Sequence, residues 1–324
     1  MTAVDFAQLE WSPRLEEDVR RLVRLAVEED LDAAYDWTTV GLVPPGAVAQ
    51  AHVVARQAGV VAGLPALAVV LDEMETAVQV ELRARDGDLV AAGQSLAVVK
   101  GPARDLLTCE RTLLNLLGRL SGIATLTRRF VEAVAGTRAR IYDTRKTTPG
   151  WRRLEKYAVR CGGGRNHRLG LYDAILIKDN HLALGAMAGT HAFGPAEAVR
   201  RIRQFLAQQA QAPALPGSPR RELLVEVEVD TLDQLRQVLP EKPDLVLLDN
   251  MPPEILRRAV ALRDEGGWPT ELEASGGVQL STVRAIAETG VERISVGSLT
   301  HAACSLDVAL DWLPSPVAPA TPGE

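Results

Sequence analysis

Residues 224–230 read Leu-Val-Glu-Val-Glu-Val-Asp. Successive side chains of a strand point to opposite faces, so Glu226, Glu228 and Asp230 share one face and Val225, Val227 and Val229 the other. A doubly wound sheet buries both faces in apolar helix surface and has no place for a row of carboxylates. A parallel barrel gives the valines to its helices and the carboxylates to an interior that opens on a site. This stretch therefore predicts a barrel.

Its neighbours keep the same rhythm. Short apolar strands are expected at 139–143, 174–177, 223–229, 245–248, 271–274 and 293–296, with helices between them at 151–161, 195–209, 231–239, 252–263 and 280–289. Strand–helix alternation implies parallel strands joined by right-handed crossovers. Six strands fall short of the usual eight, so the barrel is expected to be incomplete. The first hundred residues read as a mixed α/β domain: a helix at 15–29, half-buried strands at 48–56 and 77–85, and a helix at 64–74. A long helical region follows at 104–135, with a break expected near Ser121-Gly122. The Pro-, Ala- and Gln-rich stretch 208–221 reads as a surface connection, and the Pro-rich tail 314–324 as disordered.

The composition narrows the function. The chain of 324 residues carries a formal net charge of -6, yet Arg145, Lys146, Arg152, Arg153, Arg165, His167, Arg168 and Lys178 gather around Gly162, Gly163 and Gly164. A knot of cations in an acidic protein calls for an anionic partner, and the acidic flanks disfavour nucleic acid. Small carboxylates or phosphates come first. No apolar run is long enough to cross a membrane, and the first residues lack the pattern of a secretion signal. Cys109, Cys161 and Cys304 are scattered, with no metal or disulfide spacing, which suits a reducing cytoplasm.

Function in a parallel barrel collects at the carboxyl ends of strands. Five of the expected strands end in versatile residues: Thr144-Arg145-Lys146, Lys178-Asp179-Asn180-His181, Asp249-Asn250, Ser275-Gly276-Gly277 and Gly297-Ser298. The two glycine loops are suited to phosphate, with the following helix adding its positive end; singly, each is as readily an ordinary turn. Glu228 and Asp249 suit Mg2+ or sugar hydroxyls, or a salt bridge to Lys178 or Lys146. Glu226 lies deeper and reads as structural. Lys178 is either a phosphate clamp or a Schiff-base lysine. Arg111, Arg145 and Arg168 suit bidentate contacts to carboxylates or phosphates. His167 suits a carboxylate contact or a structural role, and Cys161 reads as core.

Seven motifs in order resemble the quinolinate phosphoribosyltransferase family. They are Glu110-Arg111-Thr112 with Asn115, DTRKTTPG at 143–150, GGGRNHRLGLYDAILIKDNH at 162–181, VEVEVD at 225–230, LLDN at 247–250, EASGG at 273–277 and VGSLTH at 296–301. The resemblance implies an N-terminal open α/β sandwich (1–120), an incomplete barrel of about six strands (121–297), and a segment 298–313 packed back on the first domain. It implies transfer of a phosphoribosyl group from phosphoribosyl pyrophosphate to quinolinate with loss of CO2, in NAD synthesis. Arg111, Arg145, His167 and Arg168 would bind the quinolinate carboxylates, with Arg111 donated by the partner of a homodimer. Lys146 and Lys178 would contact the pyrophosphate; Glu228 and Asp249 would face the ribose and Mg2+. Ser275, Gly276 and Gly297, with Gly277 and Ser298 beside them, would hold the 5′-phosphate. No organic cofactor is implied. The chain departs from the family pattern at Trp151 and near Leu215, away from these residues. Three rivals remain: a related transferase with another acceptor, a Lys178 aldolase, and a protein that binds phosphate ligands without turnover.

Overall fold

A computed structural model describes residues 5–186, 193–211 and 223–313; the tail 314–324, most of the expected connection at 208–221 and His191 lie outside them. In chain order the elements are α1 (Pro13–Leu31), α2 (Trp37–Leu42), β1 (Val48–Ala55), β2 (Gly59–Val60), α3 (Leu64–Glu73), β3 (Gln79–Leu82), β4 (Leu89–Val90), β5 (Ser95–Pro102), α4 (Ala103–Ala133), β6 (Arg140–Tyr142), α5 (Arg152–Cys161), β7 (Ile175–Ile177), α6 (Asp179–Ala186), α7 (Pro195–Gln211), β8 (Val225–Val229), α8 (Leu232–Val238), β9 (Leu245–Asp249), α9 (Pro253–Glu265), β10 (Glu271–Ser275), α10 (Val283–Ala287), β11 (Arg293–Ser295), α11 (Ser298–His301) and β12 (Val308–Trp312). They form two compact units, interleaved along the chain. One comprises Met1–Gln8, Arg129–Lys146 and Gly164–Gly297; the other comprises Leu9–Arg128, Thr147–Gly163 and Ser298–Glu324.

The second of these units is built on a four-stranded antiparallel sheet in the order β12-β1-β5-β3. The sequence reading missed β5, because Leu96, Ala97, Val98 and Val99 are all buried and the run shows no alternation. Leu15, Val19 and Val23 of α1 recur every fourth residue and are buried, and Pro13 starts the helix where a missing N–H costs nothing. α4 runs unbroken through Ser121-Gly122, contrary to the expected break. Its small residues serve close packing instead. Ser121 Oγ accepts the Ala62 N–H at 3.0 Å, and a Cβ on Gly122 would meet the Cys304 carbonyl oxygen at 2.0 Å. The same unit buries Glu155 completely. Its Oε1 accepts from Arg119 Nη2 at 2.6 Å and from Thr148 Oγ1 at 2.9 Å, and its Oε2 accepts the Thr148 N–H at 3.1 Å. Arg119 also donates to the carbonyls of Ala303, at 2.8 Å, and Thr300.

The other unit is an incomplete barrel. Six parallel strands run in the order β6-β11-β10-β9-β8-β7, and among the described residues no ladder joins β7 to β6. Register carries the polar face of β8 across the sheet: Glu226 pairs with Leu245 and Glu228 with Leu247, which in turn pair with Glu271 and Glu273. Val225, Val227 and Val229 are buried on the opposite face, as the alternation predicts.

At the amino ends of the strands, the fully buried Arg293 donates to Glu271 Oε2 at 2.6 Å and Asp5 Oδ1 at 3.0 Å, with its guanidinium 4.8 Å from the centre of the Tyr142 ring. Burial pushes the Asp5 carboxyl up, but Arg293 and Arg165 outweigh it and hold the group below its ordinary value. Polar groups at this end of a barrel serve stability.

Candidate active site

The carboxyl ends of the six strands carry the second polar cluster, and Asp143 organises it. This buried residue follows β6; its Oδ1 accepts the His167 N–H at 2.9 Å and its Oδ2 accepts from Asn166 Nδ2 at 2.7 Å. The Arg165 N–H donates to the Ile141 carbonyl at 2.8 Å, and the Asp143 N–H to the Arg165 carbonyl at 3.0 Å. The segment 165–168 thus runs beside β6 like a short extra strand and delivers His167 and Arg168 to the interior. The two motifs containing Asp143 and Asn166 were visible in the sequence, but their pairing needs the fold.

His167 is buried, and its ring stacks on Phe6 at 4.3 Å between centroids. Nδ1 accepts the Arg168 N–H at 2.8 Å. Nε2 lies 3.0 Å from Glu226 Oε2 and 3.5 Å from Glu273 Oε1. Both carboxylates are fully buried. Burial pushes Glu226 up to about 7 despite Arg293, Arg168 and Lys178, and burial followed by the charge of Glu226 pushes Glu273 up to about 7. Ligand atoms of the three residues lie within 4.8 Å of one another, as a metal site would require. The bond to Nδ1 argues against a metal. An imidazole that accepts there carries its proton on Nε2, where the ion would have to bind. Glu226 lies deep in the interior, as its position in the strand predicts. Glu273 was not singled out, although Glu271, Glu273 and Ser275 alternate as the carboxylates of β8 do.

Arg168 Nη1 donates to the Ala174 carbonyl at 3.2 Å. Burial lowers the pKa of its guanidinium, the neighbouring charge of Arg145 lowers it further, and Glu226 partly offsets both. Arg145 Nε is buried with no hydrogen-bond partner. Lys146 is exposed. Two guanidiniums that repel each other, one with an idle donor, are suited to an anion.

Lys178 follows β7, and its Nζ lies 2.5 Å from Glu228 Oε2. The side chain is 44% exposed and paired with Glu228, not the desolvated lysine that Schiff-base chemistry needs. Glu228 lines a groove of about 360 Å3 with Asp179, Asp230 and Gln234. At the end of β9, Asp249 Oδ2 accepts from Asn250 Nδ2 at 2.6 Å. Asn250 stands over the next loop: a Cβ on Gly276 would meet its Oδ1 at 2.2 Å. Gly276 and Gly277 have φ of 90° and 60°, a region that favours glycine. The helix expected to reinforce this loop starts only at Val283. After Gly297, α11 starts at once but lasts four residues, so its dipole is small. Ser298 and Arg111 belong to the other unit, where Arg111 is exposed on α4 beside Glu110.

The chain matches the quinolinate phosphoribosyl transferase C-terminal domain over residues 123–311 and the N-terminal domain of the same name over residues 36–121. It is 46% identical over 295 residues to a nicotinate-nucleotide pyrophosphorylase [carboxylating] of Mycobacterium leprae, covering 90% of this chain and 96% of that protein. A probable nicotinate-nucleotide pyrophosphorylase [carboxylating] of Bacillus subtilis is 41% identical over 263 residues, covering 81% of this chain and 83% of that one. Among solved structures, the nicotinate-nucleotide pyrophosphorylase of Francisella tularensis superposes with a TM-score of 0.82 at 34% identity, covering 95% of this chain and all of that one.

Proposed function

This chain belongs to the quinolinate phosphoribosyltransferase family, and we infer from that premise that it transfers the phosphoribosyl group of phosphoribosyl pyrophosphate to quinolinate. The products are nicotinate mononucleotide, pyrophosphate and CO2, in NAD synthesis. The observation that carries the acceptor is the pair of repelling guanidiniums, Arg145 and Arg168. A diacid brings two negative charges to these two cations, and Arg111 from a second copy of the chain adds a third contact to its carboxylates. This shared site makes the working unit a homodimer. A cytoplasmic setting suits its three free thiols.

The roles of the other residues follow from their places. Ser275, Gly276, Gly277, Gly297 and Ser298 hold the 5′-phosphate through backbone and hydroxyl donors. Lys146 and Lys178 take the pyrophosphate as it leaves ribose C1. Positive charge then develops on the sugar, and Glu228 and Asp249 offset it as the pyridine nitrogen attacks. The same two carboxylates are hard oxygen donors that fit Mg2+, which would neutralise charge on the departing pyrophosphate. In the second step the bond from ring C2 to its carboxylate breaks, CO2 leaves, the electron pair stays on C2 stabilised by the adjacent cationic nitrogen, and that pair takes a proton from solvent.

An assay with quinolinate, phosphoribosyl pyrophosphate and Mg2+ should yield CO2 and nicotinate mononucleotide together, and nicotinate should yield nothing. Turnover of nicotinate at an equal rate would overturn the diacid assignment. The shared site has its own test. Arg111→Ala and Lys146→Ala should each be nearly inactive, and mixing them should restore roughly a quarter of wild-type activity, since half the dimers are hybrids with one intact site of two. No recovery despite demonstrated subunit exchange would remove Arg111 from the partner's site.

A further inference from the structure

We propose that the buried pair Arg119 and Glu155 positions the loops assigned to phosphoribosyl pyrophosphate, an inference that rests on the function above. The chain passes from the barrel unit to the other unit after Lys146 and again after Gly297. Both passages carry residues assigned to that substrate: Lys146 ends one, and Gly297 and Ser298 flank the other. The segment just beyond each passage is held by this one ion pair. Glu155 accepts the Thr148 N–H at 3.1 Å through Oε2 and the Thr148 hydroxyl at 2.9 Å through Oε1. The same Oε1 accepts from Arg119 Nε at 3.2 Å and Nη2 at 2.6 Å. Arg119 Nη2 also donates to the Thr300 carbonyl, and Nη1 to the Ala303 carbonyl at 2.8 Å. Those carbonyls stand at the end of α11, the helix that Ser298 begins, where a helix leaves its acceptors unmatched. Thr148 is itself exposed, yet both of its donors go to a carboxylate closed to solvent. Burying an ion pair gains little net stability over apolar side chains of the same size. What apolar side chains cannot do is bond two backbone segments at once. Arg119 and Glu155 are therefore positioning residues, acting through Lys146 and Ser298 without touching substrate.

Affinity for phosphoribosyl pyrophosphate with Mg2+, read by calorimetry beside a melting curve, tests the assignment. Thr148→Val removes the hydroxyl bond and leaves the ion pair whole. It should weaken binding about fivefold, as the loss of one hydrogen bond to a charged group does, while the thermal midpoint holds within about 2 °C. Thr148→Ser keeps the hydroxyl and should bind like the natural protein. The double variant Arg119→Met with Glu155→Leu separates position from stability. It should regain much of the midpoint lost by Glu155→Gln, yet still bind about tenfold more weakly than the natural protein, because both segments are released. Full affinity in Thr148→Val would overturn the proposal. So would affinity that returns together with stability in the double variant, since the pair would then serve the core alone. A natural protein with no affinity for phosphoribosyl pyrophosphate would overturn the function above and this proposal with it, a result unlike a variant that binds as well as its parent.

Discussion

Arg145→Ala should lower kcat/KM for quinolinate by about 10²–10³, the range expected when one partner of a desolvated, charge-assisted pair is removed. The KM for phosphoribosyl pyrophosphate should hold within about threefold. Arg145→Lys should fall between the two proteins, since an ammonium keeps the charge but not the planar fork. Stability should move the other way. Arg145 lies near enough to Arg168 to disfavour its charge, so removing it relieves repulsion between two cations, and the thermal midpoint should hold or rise. Steady-state kinetics with each substrate varied in turn, together with a melting curve, check both halves. A fall in the midpoint alongside the loss of activity would show that Arg145 supports the fold instead of an acceptor.

The second large effect is on stability. Glu155→Gln should cost about 3 kcal/mol, because it leaves the Arg119 guanidinium without its charged partner in a largely buried site. Glu155 is fully buried and the Arg119 side chain is 23% exposed, so solvent screening is modest. Replacing both residues, as Arg119→Met with Glu155→Leu, should recover a good part of that loss. Chemical denaturation monitored on the unit that contains α4 and α5 gives the measurement. A change within about 0.5 kcal/mol would mean that the pair behaves like a surface contact. Glu155 also holds Thr148, two positions after Lys146, so part of any activity loss should come from that loop.

What the sequence made legible followed its periodicities. The carboxylate–valine alternation of β8 is a strand property, visible in one line of text, and the other five parallel strands were legible as short runs alternating with helices. Strand ends are legible for the same reason: once the strands are placed, the residues after them are at the site. The misreadings have one cause, contact between distant segments. Ser121-Gly122 looked like a helix break until Ala62 and Cys304 were found packed against it. β5 lacks alternation because both its faces are covered. Nothing in the text reveals that the two nitrogens of His167 meet Arg168, Glu226 and Glu273. The helix ends expected behind the phosphate loops depended on loop lengths that pattern alone does not fix.

β12 has a consequence for anyone who shortens this chain. It pairs with β1 from Ala55↔Val308 to Ala51↔Trp312, at the border of its sheet. Its outer rim carries Asp311, paired with Arg56 at 2.5 Å. A charge on an edge strand discourages a second molecule from adding to the sheet. Deleting β12 removes that guard and bares the hydrogen-bonding edge of β1, whose Ala51, Val53 and Ala55 are fully buried. The truncated protein is then a template for strand addition. It should be lost to self-association well before its catalytic strands are disturbed, and a fusion placed after Leu313 is the safer design.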